Sequence, residues 1–163
     1  MVLREYNRED SAAISGWLGS ENEMYKWSAE IFDHFPIGEY ELDEHYAPQI
    51  KEGRFYPLSA VDEAGNLCGH LTVRYVGEGD DNVRIGYVIL KPELRGKGYG
   101  KELVSLAIDY AKRLGARRAE LLVFENNLSA RRCYESLGFK KYDIIDYEIP
   151  IGVWKCIKLE MFL

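Results

Sequence analysis

Three glycines stand at alternate positions in the middle of the chain, between an apolar run and a stretch of helical periodicity. They are Gly96, Gly98 and Gly100, and the segment that holds them, Leu90–Lys101, is also basic. Because glycine has no Cβ, such a segment lets consecutive backbone N–H groups converge on an anion. A helix that begins directly afterwards adds the positive end of its dipole. The segment therefore predicts a pyrophosphate-binding loop.

The glycine spacing does not match two common nucleotide-binding motifs. A dinucleotide fingerprint needs G-x-G-x-x-G, whereas the glycines here follow G-x-G-x-G. A P-loop needs G-x-x-x-x-G-K-[ST], but Arg95 stands at the first glycine position and Glu102 follows Lys101. Taken by itself, the segment is equally compatible with a glycine-rich turn whose bases are solvated.

A second polar segment follows a buried-type strand further along the chain. Asn127 and Tyr134 are seven residues apart, or two helical turns, so both side chains project from a similar face of the predicted helix. Taken by itself, this pattern also fits an N-cap asparagine and a half-buried tyrosine. Both interpretations place Asn127 at the N-terminus of a helix.

The elements that position these segments can be predicted from hydrophobic periodicity. Strict alternation in Leu67–Val76 predicts a half-buried strand with His70, Thr72 and Arg74 on one face. Further strands are predicted at Val2–Tyr6, Phe55–Val61, Val83–Leu90, Arg118–Phe124, Tyr142–Ile149 and Val153–Met161. Helices are predicted over Asp10–Leu18, from Leu103 to Leu114, from Asn127 to Leu137, and as short pieces between Glu21 and Ile50. This order predicts an α/β (α+β) fold in one domain, residues 1–163, with a mixed sheet of about seven strands and helices on both faces.

The charge balance and the cysteines limit the classes of function. Acids outnumber bases by 27 to 21, which argues against nucleic-acid binding and against a polybasic membrane-surface protein. No apolar run approaches the roughly 20 residues that a membrane-spanning helix needs, and we expect no secretion signal at the N-terminus. Three widely spaced cysteines indicate a reducing compartment, so we expect a cytoplasmic protein without a disulfide framework or a metal.

Taken together, the two polar segments resemble the GNAT superfamily, the acyl-CoA-dependent N-acyltransferases. The family pattern is a hydrophobic strand, Pro-x-x-Arg/Gln-Gly-x-Gly-x-Gly/Ala and a long helix, then a buried strand, an Asn, an Ala, a Tyr and Leu-Gly-Phe. Every element is matched here: Pro92, Arg95, Gly96, Gly98, Gly100, Asn127, Ala130, Tyr134, Leu137, Gly138 and Phe139. The match covers about Leu71 to Phe139 and implies a GNAT-like fold.

The resemblance implies a role for each matched position, with acetyl-CoA as the cosubstrate. Backbone N–H groups of residues 95–100 would bind the coenzyme A pyrophosphate, and the pantetheine arm would pair with the backbone where the fourth and fifth strands splay apart. Asn127 would bind the pantetheine, Tyr134 would protonate the departing thiolate, and a backbone N–H near Ile89 or Leu90 would polarise the thioester carbonyl. The residues implied in coenzyme binding are Val88, Ile89, Leu90, Arg95, Gly96, Lys97, Gly98, Tyr99, Gly100, Lys101 and Asn127.

The sequence does not identify the group that deprotonates the acceptor amine. Many family members place a Glu on the fourth strand, but Val83–Leu90 holds no acid. An amine with a pKa of about 10.4 is mostly protonated at neutral pH, so a base is needed. Glu120, His70, Glu23 and a water chain stay open as alternatives.

We therefore expect an N-acetyltransferase that transfers the acetyl group directly to an amine of a small molecule or peptide, without a covalent enzyme intermediate. The alternatives are a non-catalytic acyl-CoA-binding sensor or regulatory module, and an acyltransferase with a longer acyl group or a hydroxyl acceptor. Pairing of the last strand with a second copy would give a homodimer.

Two further features concern the region where the resemblance places the acceptor amine. Residues 20–52 hold nine acids and two bases, a net charge of −7 against −6 for the whole chain, and either attract a cationic amine or form a solvated surface. Trp27 lies in this segment and either packs or lines the acceptor pocket. Cys133 is expected to be a small core residue, because no histidine is spaced to activate it.

Overall fold

A computed structural model describes all 163 residues of the chain. The strands are β1 Val2–Glu5, β2 Phe55–Val61, β3 Leu67–Tyr75, β4 Asn82–Leu90, β5 Arg118–Phe124, β6 Lys140–Ile149 and β7 Gly152–Phe162. The helices are α1 Asp10–Gly16, α2 Glu21–Ser28, α3 Glu41–Glu52, α4 Tyr99–Arg113 and α5 Leu128–Ser136, with a 3₁₀ turn at Pro92–Leu94. The strands form one sheet in the order β1-β2-β3-β4-β5-β7-β6, in which only β4 and β5 run parallel. The predicted mixed sheet of about seven strands is confirmed.

The alternation along β3 separates two hydrophobic cores on opposite faces of the sheet. Leu71 and Val73 are fully buried in a cluster with residues of α4 and α5. His70 lies on the other face, where its ring stacks on Tyr46 of α3. The core on that face also contains residues of α1 and α2. Helices therefore cover both faces, as predicted.

Helix α2 begins at a side-chain cap, similar to a capping box, that fixes the start of the acidic segment. The Ser20 hydroxyl accepts a hydrogen bond from the Glu23 N–H at 3.1 Å, and the Glu23 carboxylate accepts one from the Gly19 N–H at 2.9 Å. Reciprocal bonds of this kind satisfy N–H groups that the helix itself cannot use. They set the position of α2 over the middle of the sheet, where it contacts β4.

Strand β4 is bulged just where it leaves β5. It has two residues between Gly86 and Ile89, whereas β3 has only one between the partners of these residues. One of the two is Tyr87, whose φ of 51° is left-handed, as residues in bulges can be. The last pair between β4 and β5 is Ile85 with Leu121. The two strands then splay apart, so the end of β4 has no strand partner on its β5 side.

The free sheet edge at the C-terminal end belongs to β6. Strand β7 lies between β5 and β6 and is hydrogen-bonded to both along most of its length. The last strand therefore has no edge left for a second copy, contrary to the expected pairing. The homodimer itself stays a prediction.

Three observations bear on the general class of protein. The three cysteines, Cys68, Cys133 and Cys156, are all free. None of the helices combines the length and the apolar character needed to cross a membrane. No three His, Cys, Asp or Glu side chains are grouped so that they could hold a metal ion.

Candidate active site

The glycine-rich loop presents a run of free backbone donors. Gly96 and Gly98 have φ of 72° and 88°, in the left-handed region that favours glycine. The N–H groups of the five residues from Gly96 to Gly100 donate to no acceptor within the protein. The Arg95 N–H, by contrast, donates to the Pro92 carbonyl at 3.2 Å, because it closes the 3₁₀ turn. The expected array of donors therefore begins at Gly96 and not at Arg95.

The Arg95 side chain ties the loop to α2 and β4. Its guanidinium donates to the Glu23 carboxylate at 2.6 Å, to the Trp17 carbonyl at 2.9 Å and to the Leu90 carbonyl at 3.0 Å. All three guanidinium nitrogens are therefore in use. Arg95 positions the loop, and its charge is already balanced by Glu23.

A cavity of about 830 Å³, the larger cavity, opens where β4 and β5 splay apart. Most of the predicted site residues line it: Val88, Ile89, Leu90, Arg95, Gly96, Gly98, Gly100, Lys101, Asn127 and Tyr134. Lys97 and Tyr99 do not. The Lys97 ammonium donates to the Glu93 carbonyl at 2.8 Å, and the Tyr99 side chain is exposed. The structure thus brings together the two polar segments that carry the predicted chemistry.

Helix α5 and its N-cap residue supply seven residues to the wall of the larger cavity, and three of them bear on the chemistry. Asn127 is its N-cap and accepts from the Ala130 N–H at 3.4 Å. Tyr134 is a buried residue whose hydroxyl has no hydrogen-bond partner, and burial raises the Tyr134 pKa, so the hydroxyl is protonated at neutral pH. Cys133 is half-buried at the cavity wall and not fully in the core as expected, and burial raises its thiol pKa.

The charge on the wall of the larger cavity favours an anion. Four bases line it, whereas Glu23 is the only acid. The bases are Lys26, Arg95, Lys101 and Arg132. Since Glu23 already pairs with Arg95, the other three provide an uncompensated positive field.

A second cavity of about 340 Å³, the smaller cavity, lies on the face covered by α2 and α3. It shares Trp27 and Tyr87 with the larger cavity, along with neighbouring residues of β4 and β5. The Trp27 and Tyr87 rings meet edge to face, with centroids 5.4 Å apart. The two cavities are therefore adjacent at these rings, and Trp27 lines both of them in addition to packing.

Two of the expected base candidates are unavailable. Glu120 accepts from Arg84 at 2.6 Å and from the Tyr142 hydroxyl at 2.8 Å. Burial alone would raise the Glu120 pKa, but these partners outweigh it and lower the pKa. His70 is fully buried against Tyr46, and burial lowers its pKa to about 3. Neither residue lines the larger or the smaller cavity.

Glu23, the third candidate, lines the larger cavity, but its carboxylate accepts from both Arg95 and the Gly19 N–H. It therefore has a structural role in holding α2 against the loop.

The structure offers one further candidate base that sequence reasoning missed. His45 of α3 lines the smaller cavity, and its Nε2 lies 3.2 Å from the Tyr87 hydroxyl and 3.2 Å from the Gln49 amide nitrogen. Burial lowers the pKa of His45, which keeps the ring neutral at pH 7. Burial also raises the pKa of Tyr87 to about 12, so its hydroxyl can donate to His45. No spacing in the sequence links the two residues, which lie 42 positions apart.

A family model described as the acetyltransferase (GNAT) family matches residues 21–139, well over half of the chain. The chain belongs to this family. The GNAT match includes the glycine-rich loop, the splayed strands and the segment from Asn127 to Phe139, which are the features that form the larger cavity.

Individual relatives cover different shares of the chain. An uncharacterized protein of Methanocaldococcus jannaschii, MJ1062, is 38% identical over 148 residues, which are 86% of this chain and 28% of that protein. An uncharacterized N-acetyltransferase of the same organism, MJ1207, is 38% identical over 118 residues, 64% of this chain and 52% of that protein. The chain thus spans about half or less of the length of these two relatives. A spermidine N(1)-acetyltransferase of Vibrio cholerae is 27% identical over 143 residues, 85% of this chain and 78% of that protein.

Solved structures show the same fold. The crystal structure of spermidine N-acetyltransferase from Vibrio cholerae in complex with CoA and spermine superposes with a TM-score of 0.82. The alignment covers 99% of this chain and 94% of that one, at 21% sequence identity. A putative phosphinothricin N-acetyltransferase superposes with a TM-score of 0.77 at 20% identity, covering 99% and 98% of the two chains. These likenesses confirm the predicted GNAT-like fold.

Proposed function

We propose that the protein is an N-acetyltransferase that uses acetyl-CoA and transfers the acetyl group directly to an amine. The observation that carries the proposal is the junction of the two cavities. One cavity has free backbone donors and a free tyrosine hydroxyl, and the other has a neutral histidine hydrogen-bonded to Tyr87. Membership of the GNAT family supports the same conclusion.

The residues of the larger cavity fit coenzyme A. Its pyrophosphate would lie on the free N–H groups of Gly96 to Gly100, at the start of α4, where the helix dipole adds to the field of the lining bases. The extended pantetheine would lie along the unpaired edge of Val88 to Leu90, and the side-chain amide of Asn127 has a free N–H₂ to donate to it. Acetyl-CoA supplies the acetyl group as a thioester.

Tyr134 has the properties of a general acid. A thiolate with a pKa of about 8.5 leaves more easily when it is protonated or hydrogen-bonded as it departs. The Tyr134 hydroxyl is protonated, has no other partner and faces the larger cavity. A backbone N–H of Ile89 or Leu90 would polarise the thioester carbonyl.

The Tyr87–His45 pair has the properties of a proton acceptor for the amine. A proton that moves from the amine to the Tyr87 oxygen displaces the Tyr87 proton to the neutral His45 ring. This relay would take the place of the strand-four Glu that many GNAT proteins use. It also weakens the alternative of a non-catalytic coenzyme-binding module, which is favoured only by the lack of an acid on the fourth strand.

The first test measures acetyl-CoA binding by calorimetry and thiol release with a panel of amines. We expect a micromolar Kd and thiol release with at least one amine. Tyr134→Phe should lower turnover about 100-fold, as for loss of a general acid, and should change the Kd little. Comparison of acetyl-, propionyl- and succinyl-CoA would show the donor preference.

The matched control for this test is Tyr110→Phe. Tyr110 lies on α4, lines neither cavity and has no hydrogen-bond partner for its hydroxyl, so activity should not change. Absence of both acetyl-CoA binding and thiol release would refute the proposed function. Binding without any thiol release would instead favour the sensor or regulatory module.

A further inference from the structure

The smaller cavity contains an arginine without a partner. Arg74 of β3 is half-buried and lines the cavity, yet its guanidinium makes no hydrogen bond and no salt bridge with any residue. Its neighbour in register on β4 is Arg84, another base. Arg84 differs because it pairs with Glu120, its own neighbour in register on β5. Arg74 therefore carries a charge that the protein does not neutralise.

The other charges on the cavity wall do not compensate Arg74. Lys26 adds a second cation without a partner, and Glu30 is the only acid that lines the cavity. The Glu30 side chain is exposed and accepts a hydrogen bond from the Tyr147 hydroxyl at 3.1 Å, which directs its carboxylate to that residue. The wall of the smaller cavity is therefore positive, although the segment above it is the most acidic part of the chain.

A half-buried guanidinium without an anion is costly, since burial removes part of its hydration without supplying a counter-charge. Its five N–H donors form a planar fork that matches the two oxygens of a carboxylate or the oxygens of a phosphonate. A ligand with such a group would satisfy Arg74 through two charge-assisted hydrogen bonds.

We propose that the acceptor is an amino compound that also carries a carboxylate or a similar oxyanion, and that Arg74 binds this group in the smaller cavity. The inference rests on the proposed function for the position of the amine, which would lie at the junction beside Tyr87. A polyamine fits this cavity poorly, because its second ammonium group would face Arg74 and Lys26. Of the nine acids in residues 20–52, only Glu30 lines the smaller cavity.

The test compares ligands that differ only in the anionic group. L-lysine and cadaverine share an aliphatic diamine chain, and L-phenylalanine can be compared with its amide. An aminoalkyl phosphonate distinguishes a carboxylate site from a more general oxyanion site. Binding to the protein loaded with CoA is measured by calorimetry, and turnover is measured separately as thiol release.

We expect the amino acids to bind at least about 10-fold more tightly than the partners that lack the anionic group, which is the scale of one hydrogen bond to a charged group. Arg74→Gln should remove this difference and leave acetyl-CoA binding unchanged. Arg74→Lys should restore part of it, because the ammonium keeps the charge but lacks the fork. Arg117→Gln, the same change at an exposed position that lines neither cavity, should have no effect.

The outcomes separate this inference from the proposed function. Thiol release with cadaverine or spermidine at equal or higher kcat/KM than with amino acids would overturn the anion site and leave the acetyltransferase intact. Amino-acid binding that depends on Arg74, without any thiol release, would support the anion site and refute the proposed activity. An Arg74→Gln variant that keeps the full preference for amino acids would also overturn the inference.

Discussion

The two cavities that meet at Trp27 and Tyr87 bind by different means. The larger cavity offers free backbone N–H groups from one short stretch, Gly96 to Gly100, and side chains from a second, 127–134. The smaller cavity offers side chains, which come from α2, α3 and six of the strands. A backbone array recognises a constant feature such as a pyrophosphate, whereas a set of side chains can be changed one residue at a time. The GNAT fold can therefore keep its coenzyme site while the acceptor site diverges.

The largest effect is expected in the smaller cavity, where His45→Gln should lower the rate of acetyl transfer. Loss of a general base typically lowers the rate about 100-fold, and coenzyme binding should be unaffected. In the proposed relay the neutral form of His45 accepts the proton, and burial lowers the His45 pKa below 6.5. In the wild type, kcat/KM should therefore fall as the pH drops through that pKa. The variant should lack this acid limb in a pH–rate profile.

His34→Gln is the matched control for His45. The exposed His34 is held by Asp33 and Glu41, which raise its pKa, and it lines neither cavity. Its replacement should leave the acid limb in place. An acid limb that survives in His45→Gln would assign the base to another group, such as a water chain.

A smaller effect is expected from His70, and it concerns the pH dependence of the free energy of unfolding. Burial holds the His70 pKa at about 3, against about 6.5 in an unfolded chain. The unfolded state therefore binds the proton first, and this contribution to stability is lost as the pH falls from 6.5 towards 3. Between pH 6.5 and 5 the loss is about 2 kcal/mol, measurable by urea unfolding.

The slope from His70 should disappear in His70→Gln, since glutamine does not titrate. Coenzyme and acceptor binding should change little at pH 7, because His70 lines neither cavity. Equal slopes in the two proteins would mean that His70 is protonated in the folded state.

The smallest effect is expected in the larger cavity, where Gly98→Ala should weaken acetyl-CoA binding. At a φ of 88° a Cβ is strained, which costs about 1–2 kcal/mol and moves the loop away from the conformation in which its N–H groups converge. Acetyl-CoA binding should weaken about 10-fold, as measured by calorimetry.

The matched control for Gly98 is Gly65→Ala, in the turn between β2 and β3. Gly65 has a similar φ of 83° and open space around it, so the strain is comparable. It should lower stability without weakening acetyl-CoA binding. Equal losses of affinity in both variants would mean that strain acts through global stability and not through the loop.

The same contrast explains how much could be predicted from the sequence. The coenzyme side depends on spacing within two segments, so the glycine loop, Asn127 and Tyr134 could be placed before the structure was known. Even there, the hydrogen bonds from the Arg95 side chain to Glu23 and Trp17 were not predictable, because these partners lie more than 70 positions away in the sequence.

The acceptor side could not be predicted, because its chemistry depends on register and helix placement. Arg74 is one polar residue in an alternating strand, and only the pairing of Arg84 with Glu120 leaves it without a partner. His45 meets Tyr87 only because α3 packs over the bulge in β4. The position of β7 between two strands is likewise set by the order of the sheet and not by the pattern of the strand itself.

Trp27 at the junction also gives the protein a built-in optical reporter. Its indole N–H has no hydrogen-bond partner, and its ring borders both cavities. The other two tryptophans, Trp17 and Trp154, border neither. Replacement of these two by phenylalanine would leave a single fluorophore whose emission responds to the filling of either cavity. Stopped-flow recordings of that emission would then show, without any label, the order in which donor and acceptor bind.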